Sequence, residues 1–112
     1  MSALGAGVTD FNVGDAVFGV TDVGIEGAYA EKIAIKAAIV ARKPDRLSHL
    51  QAAAMALTGI TAIWAIEDTA KLQAGETILI QGGAGGVAGF AIQLARYLGA
   101  TVVTTASSAN VD

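Results

Sequence analysis

The stretch Gln81 to Leu98, QGGAGGVAGFAIQLARYL, constrains this chain more than any other. Strand-forming Thr77-Ile78-Leu79-Ile80 precedes it, and its second half carries a helical apolar pattern. Within it, Gly83-Ala84-Gly85-Gly86-Val87-Ala88 fits G-x-G-x-x-G/A, with alanine in the last place. Fourteen glycines in 112 residues produce such spacings by chance. The context is what gives this one meaning: a strand before it, a helix after it and a second strand at the right distance.

The chemistry of such a bend is specific. A pyrophosphate needs backbone N–H donors at close range, and a Cβ would hold it off. Gly83 is expected to make the tight turn out of the strand, and Gly85 to allow close approach. Ala88 must be small so that the helix can lie against the strand. The helix start then offers unpaired N–H groups and a partial positive charge to the phosphates. A glycine turn with no ligand would use the same residues.

Composition narrows the rest. Lys and Arg total 7 against 10 Asp and Glu, a net charge of −3, and no basic tract is present. Nucleic acid is therefore not an expected partner. Cysteine is absent, which removes disulfides and thiolate metal sites and suits a reducing cytoplasm. No basic segment followed by an apolar core marks the start as a signal peptide. The uncharged, alanine-rich run Leu50 to Ile66 reads as a buried helix, shorter than the ~20 apolar residues a membrane span needs. The chain is 54% hydrophobic and 15% charged, against roughly 25% charged for ordinary domains. So apolar a chain is expected to be part of a longer polypeptide that covers much of its surface.

In chain order, Asn12-Val13-Gly14-Asp15 reads as a turn and Ala16 to Val20 as a strand. Ala28 to Ile35 is expected as a second strand with Tyr29 packed in it, and Ala38 to Ala41 as a third. Pro44 marks a boundary. Ser48 and Gln51 make an S-x-x-Q capping box, so a helix should begin at His49, the sole histidine, which reads as a solvated residue. That helix is expected to reach about Leu57 and break at Thr58-Gly59, with a second from Ile60 to Lys71. After the strand Thr77 to Gln81, residues Val87, Phe90, Ala91, Leu94, Ala95 and Leu98 form one apolar helical stripe. Gln93 and Arg96 fall outside it. Gly99 is placed to end the helix, and Thr101 to Thr105 forms the next strand. Strand, helix and strand make a βαβ unit. The continuous apolarity of Ile78-Leu79-Ile80 suits a parallel strand covered on both faces, so further strands and helices are expected to follow.

In dinucleotide folds an acidic residue about twenty positions past the glycines grips the ribose 2′-OH of NAD. Here those positions hold Thr105, Ala106, Ser107 and Ser108. Small hydroxyl side chains leave room for a 2′-phosphate and can hydrogen-bond it, which favours NADP. Ordinary loop serines would look the same.

Gly14-Asp15-Ala16-Val17-Phe18, Gly27 to Glu31, Ala52 to Ala54, Thr61-Ala62, Gly82 to Val87 and Gln93 to Arg96 fall in one order. Together they resemble the medium-chain dehydrogenase/reductase superfamily, in its zinc-independent quinone oxidoreductase branch. The resemblance covers essentially the whole chain. It implies an α/β architecture: part of a GroES-like β domain followed by the first βαβ unit of a Rossmann dinucleotide-binding fold. Residues 1–45 would close the β domain, 46–74 supply connecting helices and 75–112 begin the nucleotide domain. The superfamily's zinc alcohol dehydrogenases carry a cysteine-rich lobe where the short Gly19 to Gly27 interval stands here. They also place a zinc-ligating cysteine where this chain has Leu57, which cannot bind a metal. By the same resemblance, Thr61 would sit near the nicotinamide and Gly85, Gly86 and Val87 at the pyrophosphate, with Gly83 and Ala84 of the same loop also counted among the cofactor-binding residues. Thr105, Ser107 and Ser108 would take the adenosine ribose.

The implied activity is NADPH-dependent hydride transfer to a quinone, an enone or a similar small molecule, in the cytoplasm and without zinc or membrane. The whole protein is expected to be a homodimer, with no catalytic side chain identifiable and the isolated piece inactive. An enoyl-thioester reductase and a non-catalytic nucleotide-binding module are the rival expectations.

Overall fold

The computed structural model describes residues 1–110, in two compact units, the first over Met1–Leu57 and the second from Thr58 onward. In the first unit the turn Asn12 to Asp15 forms as the sequence implies. The Asp15 amide donates to the Asn12 carbonyl at 3.1 Å, the Asn12 amide to Asp15 Oδ2 at 2.9 Å, and Gly14 takes φ +99°. It feeds β1 (Val17–Gly19), which pairs antiparallel with β2 (Val40–Arg42) in the register Phe18↔Ala41. Arg42 then closes the unit's open end. Its guanidinium donates to the Asp10 carbonyl at 2.7 Å, lies 3.3 Å from Asp15 Oδ2 and stands 5.8 Å above the Phe11 ring.

The strand expected over Ala28 to Ile35 does not form. Gly24 and Gly27 turn the backbone to positive φ, and Tyr29, Ile33 and Ile35 are exposed, so no sheet neighbour rewards the extended conformation. Tyr29 is fully exposed and packs in nothing. A single 3₁₀ turn, Ala37–Ile39, precedes β2 and shortens the third expected strand.

The capping box starts α1 (His49–Ile63) as the sequence requires. The Ser48 amide donates to Gln51 Oε1 at 2.9 Å, and the Gln51 amide donates to Ser48 Oγ at 3.2 Å. The expected break at Thr58-Gly59 is absent. A glycine inside a helix costs about 1 kcal/mol, too little to end one that runs on to place Ala62 and Ile66 in the core. A π-helical turn, Trp64–Thr69, extends the run to 21 residues. By length and composition alone that run would suffice to cross a membrane, and it is mostly exposed, contrary to the expectation of a buried helix. Only Ala52, Ala56, Ala62 and Ile66 of it are buried.

The second unit is the βαβ unit. β3 (Thr77–Ile80) and β4 (Thr101–Thr104) are parallel, paired Thr77↔Thr101 through Ile80↔Thr104, and α2 (Gly86–Tyr97) connects them. Ala62, Ile66, Ile80, Ala91 and Ala95 form the core. Alanines at 91 and 95 are small enough to let the helix sit close to the strands. Phe90, Leu94 and Leu98 of the expected stripe pack against this core, joined by Ala88 and Ile92, whereas Val87 is exposed. Gly99, at φ +87°, ends the helix in a Schellman motif: the Gly99 amide donates to Arg96 and the Ala100 amide to Ala95. The sheet face away from α2 is open, with Leu79 57% and Val103 51% exposed.

Candidate functional site

The chain leaves β3 through a tight turn into α2. The residue that makes this turn is Gly82, at φ +71°, not Gly83 as the motif suggests. Gly83 is required for another reason: a Cβ there would run into Thr104 Oγ1 and press on Ile92. The Gly85 amide donates to the Gly82 carbonyl at 2.8 Å, closing the turn. Gly85 is the extended N-cap of α2 and has no side chain with which to cap it.

The helix start is therefore unoccupied by its own protein. The first α2 bond runs from the Gly89 amide to the Gly85 carbonyl at 2.8 Å. Among the described residues the amides of Ala84, Gly86, Val87 and Ala88 meet no acceptor. An α-helix always begins with such orphan donors, and here no side chain answers them. Electrostatics adds to this. From Gly82 to Asn110 the sequence holds no acidic residue, and Arg96 is its one charge. Bare amides at a positive helix end, on a stretch of chain without carboxylates, are suited to an anion.

The strand ends flank the turn. Thr105, one residue past β4, accepts the Gly83 amide on its carbonyl at 2.7 Å and the Gly82 amide on its hydroxyl at 3.1 Å. Thr104 Oγ1 donates to the Ile80 carbonyl at 2.7 Å. Beyond them, Ser107 Oγ accepts from the Asn110 side-chain amide at 2.9 Å, and Ser108–Asn110 forms a 3₁₀ turn. Ser107 and Ser108 are exposed, two and three residues along the chain from Thr105. Thus the structure brings Gly83, Ala84, Gly85, Gly86, Val87 and Thr105 together, with Ser107 and Ser108 close along the chain.

Thr61 lies on α1 and is exposed. One helical turn earlier, Thr58 stands against Gly86, where an added Cβ would meet its methyl at 3.3 Å. Residues three apart share a helix side, which puts Thr58 and Thr61 on one line running from the α2 start. Sequence reasoning missed Thr58. Its signal was the spacing Thr58-x-x-Thr61, hidden because a helix break was expected there.

No family model matches the chain. Several solved structures and curated proteins do. An alcohol dehydrogenase superfamily protein from Novosphingobium aromaticivorans is 44% identical, covers 97% of this chain and superimposes with a TM-score of 0.92. The Escherichia coli quinone oxidoreductase solved with NADPH is 34% identical over 96% of the chain, with a TM-score of 0.83. The reducing polyketide synthase FUB1 of Gibberella moniliformis is 39% identical over 96% of the chain. Enoyl reductases and proteins described as zinc-type alcohol dehydrogenase-like stand among the other matches. The chain spans 34% and 32% of the two solved structures and 4% of the synthase. At these identities and scores the α/β architecture read from the sequence is confirmed as a partial domain, and the chain belongs to the medium-chain dehydrogenase/reductase family of oxidoreductases.

Proposed function

We propose that this chain forms the pyrophosphate and ribose side of an NADPH site in a zinc-independent reductase of quinones, enones or similar small molecules. The single observation that carries the reading is the α2 start. The amides of Ala84, Gly86, Val87 and Ala88 lack acceptors, and Gly83 and Gly85 keep side chains out of the way. Bound there, a reduced nicotinamide supplies a hydride; the protein's part is to place it.

In this reading the amides of Ala84, Gly86, Val87 and Ala88 hold the diphosphate, and Gly83 and Gly85, their own amides already bonded, keep the approach clear of side chains. Thr105, Ser107 and Ser108 surround the ribose, where no carboxylate repels a 2′-phosphate. Thr61 lies toward the nicotinamide, on the line from Thr58 and Gly86. Leu57 offers no ligating atom where zinc enzymes of the superfamily place a cysteine, and no group of three His, Cys, Asp or Glu side chains assembles among the described residues. Residues 75–112 make the nucleotide domain's beginning, 1–45 part of the β domain and 46–74 the connection. A reducing cytoplasm and a homodimer complete the proposal for the whole protein.

An enoyl-thioester reductase is the second reading, favoured by the matches to polyketide synthases and enoyl reductases. NADPH oxidation by the whole protein with a benzoquinone and with a crotonyl thioester distinguishes them. Faster turnover of the quinone supports the first reading, and faster turnover of the thioester the second. Binding of NADPH with turnover of neither supports a non-catalytic module.

A further inference from the structure

Two amides at the exit of β3 need acceptors, and the sheet supplies only one of them through the main chain. The Gly83 amide reaches the Thr105 carbonyl, which any residue at position 105 would provide. The Gly82 amide reaches the Thr105 hydroxyl, which only threonine or serine can place there. Gly82 is also the residue at which the backbone turns to positive φ, and glycine there has no side chain of its own to restrain it. A turn built on Gly82-Gly83 has the largest conformational freedom to lose, since glycine is the most permissive residue. One side-chain hydrogen bond at that point therefore adds to the main-chain bonds of Gly83 and Gly85 in setting where the next amides are aimed.

We propose that Thr105 is the positioning residue of the glycine turn. Its hydroxyl holds Gly82, and through Gly82 it fixes the orientation of the free amides of Ala84, Gly86, Val87 and Ala88. The role deepens the proposed NADPH site and depends on it for its functional consequence, whereas the hydrogen bond itself stands without any cofactor. Thr105 is exposed and β-branched, so Thr105→Val keeps its shape and strand propensity and replaces only the hydroxyl by a methyl.

The test compares Thr105→Val and Thr105→Ser with the unaltered full chain by two readouts. The first is the amide resonances of Gly82 and Gly83 without ligand. In the valine variant the Gly82 proton is expected to move upfield and exchange faster, with Gly83 far less affected; serine should restore Gly82. The second is NADPH titration. Valine should weaken binding roughly fivefold, the worth of one neutral hydrogen bond, and serine should recover it. A Gly82 resonance unchanged by valine overturns the proposal. So does NADPH affinity that valine leaves intact, or that serine fails to rescue. If the unaltered chain binds no NADPH, the cofactor reading falls, and the Gly82 resonance alone decides whether Thr105 holds the turn.

Discussion

The Gly83 amide lies 2.7 Å from the Thr105 carbonyl, one hydrogen bond beyond Ile80 and Thr104, the last paired residues of the parallel ladder. That bond carries the two strands past their formal ends and sets the glycine turn directly on the sheet. Both strands finish at the same level, which is why the residues after β4 lie beside those after β3.

Gly83 has no left-handed backbone, so its intolerance to substitution is steric. Gly83→Ala pushes a methyl into Thr104 Oγ1 and should lower stability by about 1–3 kcal/mol, the usual range for overpacking. Removing the obstacle with Thr104→Ala in the same chain should recover part of that loss. Urea denaturation of both variants gives the comparison.

Gly82 presents the opposite case. A Cβ there meets nothing within 4 Å, but φ is +71°. Gly82→Ala should cost about 1 kcal/mol through backbone strain alone. Gly82→Asn should be milder than alanine, because asparagine tolerates the left-handed region. The order glycine, asparagine, alanine in denaturation midpoints is the expected outcome.

The start of α1 rests on a reciprocal pair, Ser48 and Gln51. Ser48→Ala should destabilise the helix start by about 1 kcal/mol, and Ser48→Asp should restore most of it. Thermal melts followed by circular dichroism report both.

The sequence was legible wherever a local rule and the packing agreed. The capping box, the Gly99 stop, the parallel strands and the alanine face of α2 were all readable, because each follows from spacing and from backbone chemistry. The misread elements depended on what the rest of the fold does. Gly59 looked like a helix breaker, yet its modest propensity penalty is overridden by the packing of Ala62 and Ile66. Ala28 to Ile35 alternated like a strand but finds no sheet edge to join. At the site, the motif located the bend correctly but assigned the turn to Gly83. Only three-dimensional structure reveals that Gly82 carries the positive φ while Gly83 clears Thr104.

The ribose end gives a sharper chemical expectation. Ser107→Asp would introduce a carboxylate where the chain has none from Gly82 to Asn110. It should repel a 2′-phosphate and accept a hydrogen bond from a 2′-hydroxyl. The ratio of NADH to NADPH affinity should rise by about tenfold, or about 1.4 kcal/mol. Competitive fluorescence titration of the two nucleotides measures that ratio.

The most direct measurement follows the backbone amide resonances of the isotope-labelled full chain during titration with NADPH. The account predicts that Ala84, Gly86, Val87 and Ala88 shift together and saturate with a single affinity, while Gly82 and Gly83, already bonded to Thr105, shift less. Saturable binding that leaves those four amides unmoved would contradict it, and so would no binding at all.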